Sequence, residues 1–260
     1  FDDELKVSEF ISSSVRISDP FELSGMDSAV DRIEQAVSLG EKITVYGDYD
    51  CDGVTATALL YSLLRDMGAE VDYYIPSRET EGYGLNQGAL KKIAESGTRL
   101  IVTVDNGISA VAEAEYAYFL GMELVITDHH QIPDTLPRAQ AIVNPHLQDG
   151  ELAFTDLAGV GVAFKLAAAL YGDTDDILYQ YADLAAIGTI ADIMPLTDEN
   201  RSIVKTGIRR IQDAPRPGIA ALLKAAGLSK KEIASSDIAF SVCPRINATG
   251  RMEHAAKAVA

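Results

Sequence analysis

Ile43-Thr44-Val45-Tyr46-Gly47-Asp48-Tyr49-Asp50-Cys51-Asp52-Gly53 joins a short β-rich apolar run to three aspartates at alternate positions. In an extended segment, residues two apart face the same way, so Asp50 and Asp52 are expected to converge on one point while Tyr49 and Cys51 face elsewhere. Carboxylates held that close raise one another's pKa and cost stability unless a cation or a hydrogen-bond network supplies positive charge. The stretch therefore points to a metal site. Its Asp-x-Asp-x-Asp-Gly form also opens an EF-hand calcium loop, which needs a glutamate at its twelfth position and a helix before it. Counting from Asp48, that position is Leu59 and the preceding segment reads as strand, so both features count against an EF-hand. A solvated acidic turn is the reading that this motif alone leaves open.

The same pattern recurs along the chain. Arg99-Leu100-Ile101-Val102-Thr103-Val104 is a β-rich run that ends at Asp105-Asn106-Gly107, and Glu123-Leu124-Val125-Ile126-Thr127 leads into Asp128-His129-His130. Continuous apolar strands separated by helical stretches indicate a parallel sheet buried on both faces. In such sheets ligands bind beyond the carboxyl ends of the strands, and here three strand ends carry Asp, Asp and Asp-His-His on one rim. Adjacent histidines in an extended segment project to opposite sides, so one of His129 and His130 is expected to ligate an ion and the other to orient or contact substrate. His146 and His254 are read as hydrogen-bonded structural residues.

A further carboxylate, Asp192, follows an apolar helical run that begins near Ile177. An acidic group at the carboxyl end of a buried helix is unfavourable against the helix dipole and needs a partner, which makes Asp192 a fifth candidate ligand. The Gly159-x-Gly161 pair lacks the preceding strand and third glycine of a nucleotide loop and is read as allowing close helix packing. The two cysteines, Cys51 and Cys243, suggest a reducing compartment and no disulfide framework. Cys51 is read as inert, facing away from the carboxylates.

With 260 residues, 47% of them hydrophobic, the chain can bury a large core and amounts to about one large domain or one and a half. No stretch is apolar and long enough to span a membrane, and the start does not resemble a signal peptide. Periodicity predicts helices over Asp27–Leu39, Val54–Met67, Asn86–Glu95 and Ser109–Leu120, and strands near Ile43, Val71, Leu100, Leu124 and Ala141. The chain then turns mostly helical after Gly159. The expected fold is α/β: a five-stranded parallel sheet flanked by helices, followed by a helical segment that closes over the rim.

Four ordered segments, Tyr46-Gly47-Asp48-Tyr49-Asp50-Cys51-Asp52-Gly53, Val104-Asp105-Asn106-Gly107-Ile108, Asp128-His129-His130 and Gly188-Thr189-Ile190-Ala191-Asp192, resemble the motifs of the DHH phosphoesterase superfamily. Within it the chain is similar to the RecJ-like group, bacterial exonucleases that degrade single-stranded DNA from 5′ to 3′. Glu81-Gly82-Tyr83-Gly84-Leu85, Leu157-Ala158-Gly159-Val160-Gly161-Val162-Ala163-Phe164-Lys165 and Arg245-Ile246-Asn247-Ala248-Thr249-Gly250-Arg251 carry that closer likeness, which runs over nearly the whole chain. Tyr46 stands where related pyrophosphatases and small-nucleotide phosphodiesterases have a histidine, and this leaves open how the second metal is completed.

The resemblance implies two-metal phosphodiester hydrolysis with release of mononucleotides, in DNA repair and recombination in the bacterial cytoplasm. Carried over motif by motif, the metal ligands are Asp50, Asp52, Asp105, His129 and Asp192, with Asp105 bridging. His130 contacts the scissile phosphate or supports the site from behind, and Asp48 orients neighbouring groups. Two divalent ions are implied, and the mixture of carboxylates with imidazole favours Mn²⁺ over Mg²⁺. Arg245, Asn247 and Arg251 are expected to hold the terminal phosphate, Arg78 to touch the strand and Tyr83 to stack on a base. Residues 1–195 form the DHH catalytic domain with a helical lead-in, 196–250 a helical extension, and 251–260 the start of a linker helix from near Met252. That linker leads to a DHH-associated domain, usually followed by an oligonucleotide-binding barrel, and both lie outside this chain. The formal charge of −17 lacks the basic footprint of a nucleic-acid binder, so residues 1–260 alone are expected to bind DNA weakly and cut it poorly. The implied partners are single-stranded DNA and a helicase or single-strand-binding protein. The competing readings are a phosphodiesterase acting on short oligoribonucleotides, cyclic dinucleotides or pyrophosphate, and a non-catalytic scaffold.

Overall fold

The structure, a computed structural model, describes residues 16–147, 154–229, 232–252 and 255–259. Helix α1 (Met26–Leu39) buries Met26, Ala29, Val30, Ile33 and Ala36, the spacing of one apolar helical face, and ends where Gly40 turns left-handed at φ 64°. Strand β1 (Ile43–Tyr46), helix α2 (Cys51–Asp66), β2 (Val71–Tyr74), α3 (Gln87–Glu95), β3 (Leu100–Val104), α4 (Val111–Phe119), β4 (Glu123–Thr127) and β5 (Ala141–Val143) follow. The five strands form one sheet in the order β2-β1-β3-β4-β5, and every pairing is parallel.

Burial on both faces explains the uninterrupted apolar runs. Ile43 and Val45 of β1, Leu100, Val102 and Val104 of β3 and Val125 of β4 join the core on one face, beneath α1, α2 and α5 (Gly159–Tyr171). Tyr46, Ile101, Leu124 and Ile126 alternate to the other face, against Leu90 and Ile93 of α3 and Ala117 of α4. Chain order reverses between β1 and its two neighbours β2 and β3, so the sheet has its topological switch point at the carboxyl ends of β1 and β3.

The second half packs α6 (Thr174–Ala191), α7 (Asp198–Asp213), α8 (Pro217–Ala225) and α9 (Cys243–Met252) around a further apolar cluster that includes Ile187, Val204, Ile211, Leu223, Val242 and Ile246. A π-helical turn, Ile238–Val242, leads into α9. The helix expected to open near Met252 instead closes there, and a 3₁₀ turn follows at Ala255–Ala258. Cys243 and Ile246 bury one face of α9 in this cluster, so the Arg245–Arg251 motif lies on a packed helix. Among the described residues, no helix is long and apolar enough to cross a membrane.

From Gly159 to Leu170, α5 is buried on all sides and apolar but for one residue. Lys165, 1% exposed, donates to the Ser18 carbonyl at 2.8 Å and pairs with Glu199 of α7 at 2.6 Å. Removing one member of a buried ion pair leaves an uncompensated charge in apolar surroundings. Lys165→Met is therefore expected to cost about 3–5 kcal/mol of unfolding free energy, read from urea denaturation curves.

Candidate metal centre

The carboxyl end of β1 does not continue as an extended segment. Asp50 caps α2, its Oδ1 accepting from the Gly53 N–H at 2.9 Å, so the helix begins at Cys51, three residues before the predicted start. Asp50 thus leaves from a cap and Asp52 from the first helical turn, and the two carboxylates serve different neighbours rather than one point. Gly53 is required by this turn, since a Cβ there would stand 2.7 Å from Asp48 atoms. Cys51, in the first turn of α2, is buried beside Cys243 of α9.

Asp52 is 2% exposed, and its partners come from a distant part of the chain. Its Oδ2 accepts from the Gly159 N–H at 2.7 Å and its Oδ1 from the Val160 N–H at 2.9 Å. The N-cap of α5, Ala158, has no capping side chain, so Asp52 satisfies the first amides of that helix at the positive end of its dipole. Gly159 makes the approach feasible, because a Cβ at that position would overlap the Asp105 side chain. Gly188 does the same from α6, where an added Cβ would lie 2.6 Å from Asp52 Oδ1. The Gly159-x-Gly161 pair therefore includes a cradle residue for two carboxylates, a role beyond the helix packing expected of it.

Asp105 follows β3 with φ 62°, a left-handed conformation costly for a residue with a side chain. Asn106, fully buried, fixes this turn by donating to the Val104 carbonyl at 2.9 Å and the Tyr46 carbonyl at 3.3 Å. Beyond β4, Asp128 accepts from the backbone N–H groups of His129 at 2.8 Å and His130 at 3.1 Å. This Asx-type turn bends the chain, so the two imidazoles stand 4.5 Å apart instead of projecting to opposite sides. Asp128 also bonds His130 Nδ1 at 2.7 Å, while His129 Nε2 lies 3.1 Å from Asp105 Oδ1 and 4.0 Å from Asp52 Oδ2. Asp192, the C-cap of α6, completes the gathering with its Oδ2 3.9 Å from His129 Nδ1.

Three sets of side chains each bring their ligand atoms within 4.8 Å of one another: Asp48, Asp50 and Asp105; Asp52, His129 and Asp192; and Asp105, His129 and His130. Asp105 and His129 each belong to two sets. Burial, and after it the Asp50 charge, raises the carboxyls of Asp52 and Asp192 above the usual range and carries Asp48 to about 7. Asp105 is raised by burial and the Asp52 charge. Burial, then His130, pushes His129 down to about 4, leaving its ring neutral with a lone pair to give. His130 is raised, chiefly by its hydrogen bond to Asp128. Burial alone would raise Asp128, but the bond with His130 outweighs it and holds that carboxyl below its ordinary value.

Asp48 Oδ1 and Asp105 Oδ1 are buried and make no hydrogen bond among the described residues. His129 Nε2 approaches Asp105 Oδ1 without the alignment of a hydrogen bond. Crowded acidic oxygens with raised pKa, unpaired lone pairs and a neutral imidazole fit a divalent cation. Asp48 stands among the candidate ligands by the same criterion, in a set with Asp50 and Asp105.

Of the expected substrate residues, Tyr83 reaches the centre. Its hydroxyl donates to the Asp105 carbonyl at 3.3 Å, its ring meets His130 edge-on at 5.9 Å, and it stays 50% exposed. Tyr46 explains how: its buried hydroxyl donates to the Gly84 carbonyl at 2.9 Å and accepts from Asn86 Nδ2 at 3.2 Å, pinning the Gly-Tyr-Gly loop. Arg78 is exposed and lies 5.4 Å over the Tyr49 ring. Arg245 is exposed on α9 and bonds the Ser241 carbonyl, and the buried Asn247 Oδ1 has no hydrogen bond among the described residues. Gly250 packs α9 against the Tyr49 carbonyl, where an added Cβ would be 3.0 Å away, so this helix borders the aspartate loop. The Arg251 side chain and His254 lie outside the described residues.

Sequence reasoning passed over Asn144, and it read His146 as a hydrogen-bonded structural residue. Asn144, fully buried, donates to the His130 carbonyl at 2.9 Å and accepts from the His146 N–H at 2.8 Å, and His146 lies near enough to help depress His129. The signal was present, since β5 also ends on the rim and runs straight into Asn144-Pro145-His146.

An open parallel α/β sheet with a carboxylate and imidazole cradle at its switch point defines a class of metal-binding α/β domains. The sequence matches the DHH family, N-terminal domain, over residues 42–189, and the chain belongs to that family. It is 50% identical over 241 residues to the single-stranded-DNA-specific exonuclease RecJ of Bacillus subtilis, an alignment covering 93% of this chain and 30% of that protein. It superposes on a crystal structure of exonuclease RecJ bound to manganese with a TM-score of 0.83 and 38% identity, covering 94% of this chain and 62% of that one. Against the Mn²⁺ complex of RecJ from Thermus thermophilus the TM-score is 0.78 with 38% identity, covering 91% of this chain and 34% of the other. The chain thus spans less than two thirds of the length of each of these relatives.

Gly159→Ala is expected to displace Asp105 and weaken Mn²⁺ binding at least about tenfold, as measured by isothermal titration calorimetry.

Proposed function

We propose that this chain is the metal-binding catalytic part of a bacterial exonuclease that degrades single-stranded DNA from 5′ to 3′, releasing mononucleotides. The observation that carries the reading is the meeting of Asp48, Asp50 and Asp105 in one set of ligand atoms and of Asp52, His129 and Asp192 in another, with a third set, Asp105, His129 and His130, linking the two. The named activity and the Mn²⁺ and Mg²⁺ complexes of its relatives support the same conclusion. In this reading Asp48, Asp50 and Asp105 would hold one divalent ion and Asp52, His129 and Asp192 the other, with Asp105, 3.1 Å from His129, the group placed between them. Mn²⁺ suits the imidazole better than Mg²⁺ does. Such a pair supplies an activated water and neutralises charge that develops around phosphorus.

The remaining residues position the strand. His130, whose Nδ1 is held by Asp128 and whose ring is partly exposed, would donate a hydrogen bond from its Nε2 N–H to a phosphate oxygen. Tyr83 offers its exposed ring to a base, and we assign Arg245, Asn247 and Arg251 to the terminal phosphate, with Arg78 a further contact. Residues 1–195 serve as the catalytic domain, 196–250 as its helical extension and 251–260 as the approach to further domains that supply most of the grip on DNA. A place in repair and recombination in the cytoplasm, alongside a helicase or single-strand-binding protein, belongs to the same proposal. Tyr46, whose hydroxyl is engaged by Gly84 and Asn86, counts against the small-nucleotide phosphodiesterase reading. The intact cluster counts against a non-catalytic scaffold.

The full-length protein with Mn²⁺ is expected to shorten 5′-labelled single-stranded DNA and to spare duplex and dinucleotide. Rapid cleavage of dinucleotide alone would instead favour the small-substrate enzyme, and no cleavage the scaffold. Asp105→Ala is expected to lower kcat on the single strand by at least about a thousandfold, or about 4 kcal/mol of barrier.

A further inference from the structure

Helix α6 ends in a Schellman turn. The Met194 N–H donates to the Thr189 carbonyl and the Ile193 N–H to the Ile190 carbonyl, both at 3.2 Å. That motif places its C′ residue in the left-handed region, where glycine is the usual occupant. Here the C′ residue is Ile193, at φ 59°. A β-branched side chain is among the least suited to this conformation, and packing does not repay the strain, because Ile193 is 88% exposed.

An exposed, strained, apolar residue calls for an explanation outside the stability of the fold. Its location provides one. Ile193 directly follows Asp192, whose carboxylate lies 3.9 Å from His129 within the acidic centre. Tyr83, the other large exposed apolar group attached to the centre, contacts Asp105 and His130. Acidic groups recognise neither the faces of nucleobases nor the apolar part of any substrate, so recognition beyond the phosphate falls to groups of this kind at the rim.

We propose that Ile193 is a substrate-contact residue that packs against a nucleobase of the strand lying across the metal centre. The proposal rests on the exonuclease reading and adds a second apolar contact to that of Tyr83. It accounts for why the C′ position carries a strained isoleucine in place of glycine.

The test uses the full-length protein with Mn²⁺ and compares the parent with Ile193→Gly and Ile193→Asn, both residues that accept the left-handed conformation. Two substrates are compared: a single-stranded oligodeoxynucleotide and the same strand made abasic over its first nucleotides. Both variants are expected to raise KM for the intact strand by about three- to tenfold, as loss of one apolar contact would. On the abasic strand, parent and variants are expected to have the same KM, and Ile193→Gly is expected to unfold at a higher temperature than the parent. An unchanged KM on the intact strand, an equal rise on both strands, or a lower unfolding temperature for Ile193→Gly would overturn the assignment. A parent protein inactive on the intact strand would refute the exonuclease reading itself.

Discussion

The two hydrogen bonds from the first amides of α5 to the Asp52 carboxylate tie the acidic cluster to the second half of the molecule. They cap a helix that has no capping side chain of its own, and they place an acidic group where the helix dipole offers positive potential. They also tie residues more than a hundred positions apart, so that Gly159 is pressed against Asp105 and Gly188 against Asp52. The geometry of the whole cluster follows from that contact. A bulkier residue at either glycine would push apart the strand ends that the sheet brings together.

The arrangement divides its groups between stability and function. Asp128 and Asn144 are buried, and their hydrogen bonds go mainly to the backbone turns that present His129 and His130. Asp48 and Asp105, equally buried, each keep an oxygen without a hydrogen bond among the described residues. Such groups are costly inside a protein unless a ligand completes them. Asp105 and Ile193, two of the three left-handed non-glycine residues among those described, lie in or next to this centre, where the packed sheet and helices beneath carry their strain.

Most of the fold was legible in the chain. Continuous apolar runs at β1, β3 and β4 announce strands buried on both faces, and the helices between them have clear periodicity. Strand ends singled out Asp50, Asp52, Asp105 and one of the two histidines, the end of an apolar helical run added Asp192, and the family resemblance chose His129. Local backbone geometry was not legible in the same way. Strand alternation assigned Asp50 and Asp52 to a common point and sent the two histidines apart. A helix cap at Asp50 and an Asx turn at Asp128 overrule alternation in both places, because side-chain hydrogen bonds to nearby amides are worth more there than continuing the strand.

The sequence by itself determined the sheet, the succession of acidic and imidazole groups at its strand ends and the family to which they belong, because periodicity and motif order are local properties of a chain. Only the tertiary structure decided which carboxylate shares a neighbour with which. It assigned Asp48 to the candidate ligands, used Gly159 as a cradle, engaged Tyr46 with the Gly84 loop and left Ile193 exposed beside Asp192. Those outcomes depend on contacts between segments far apart along the chain, and no local pattern encodes the distance at which two such segments come to rest.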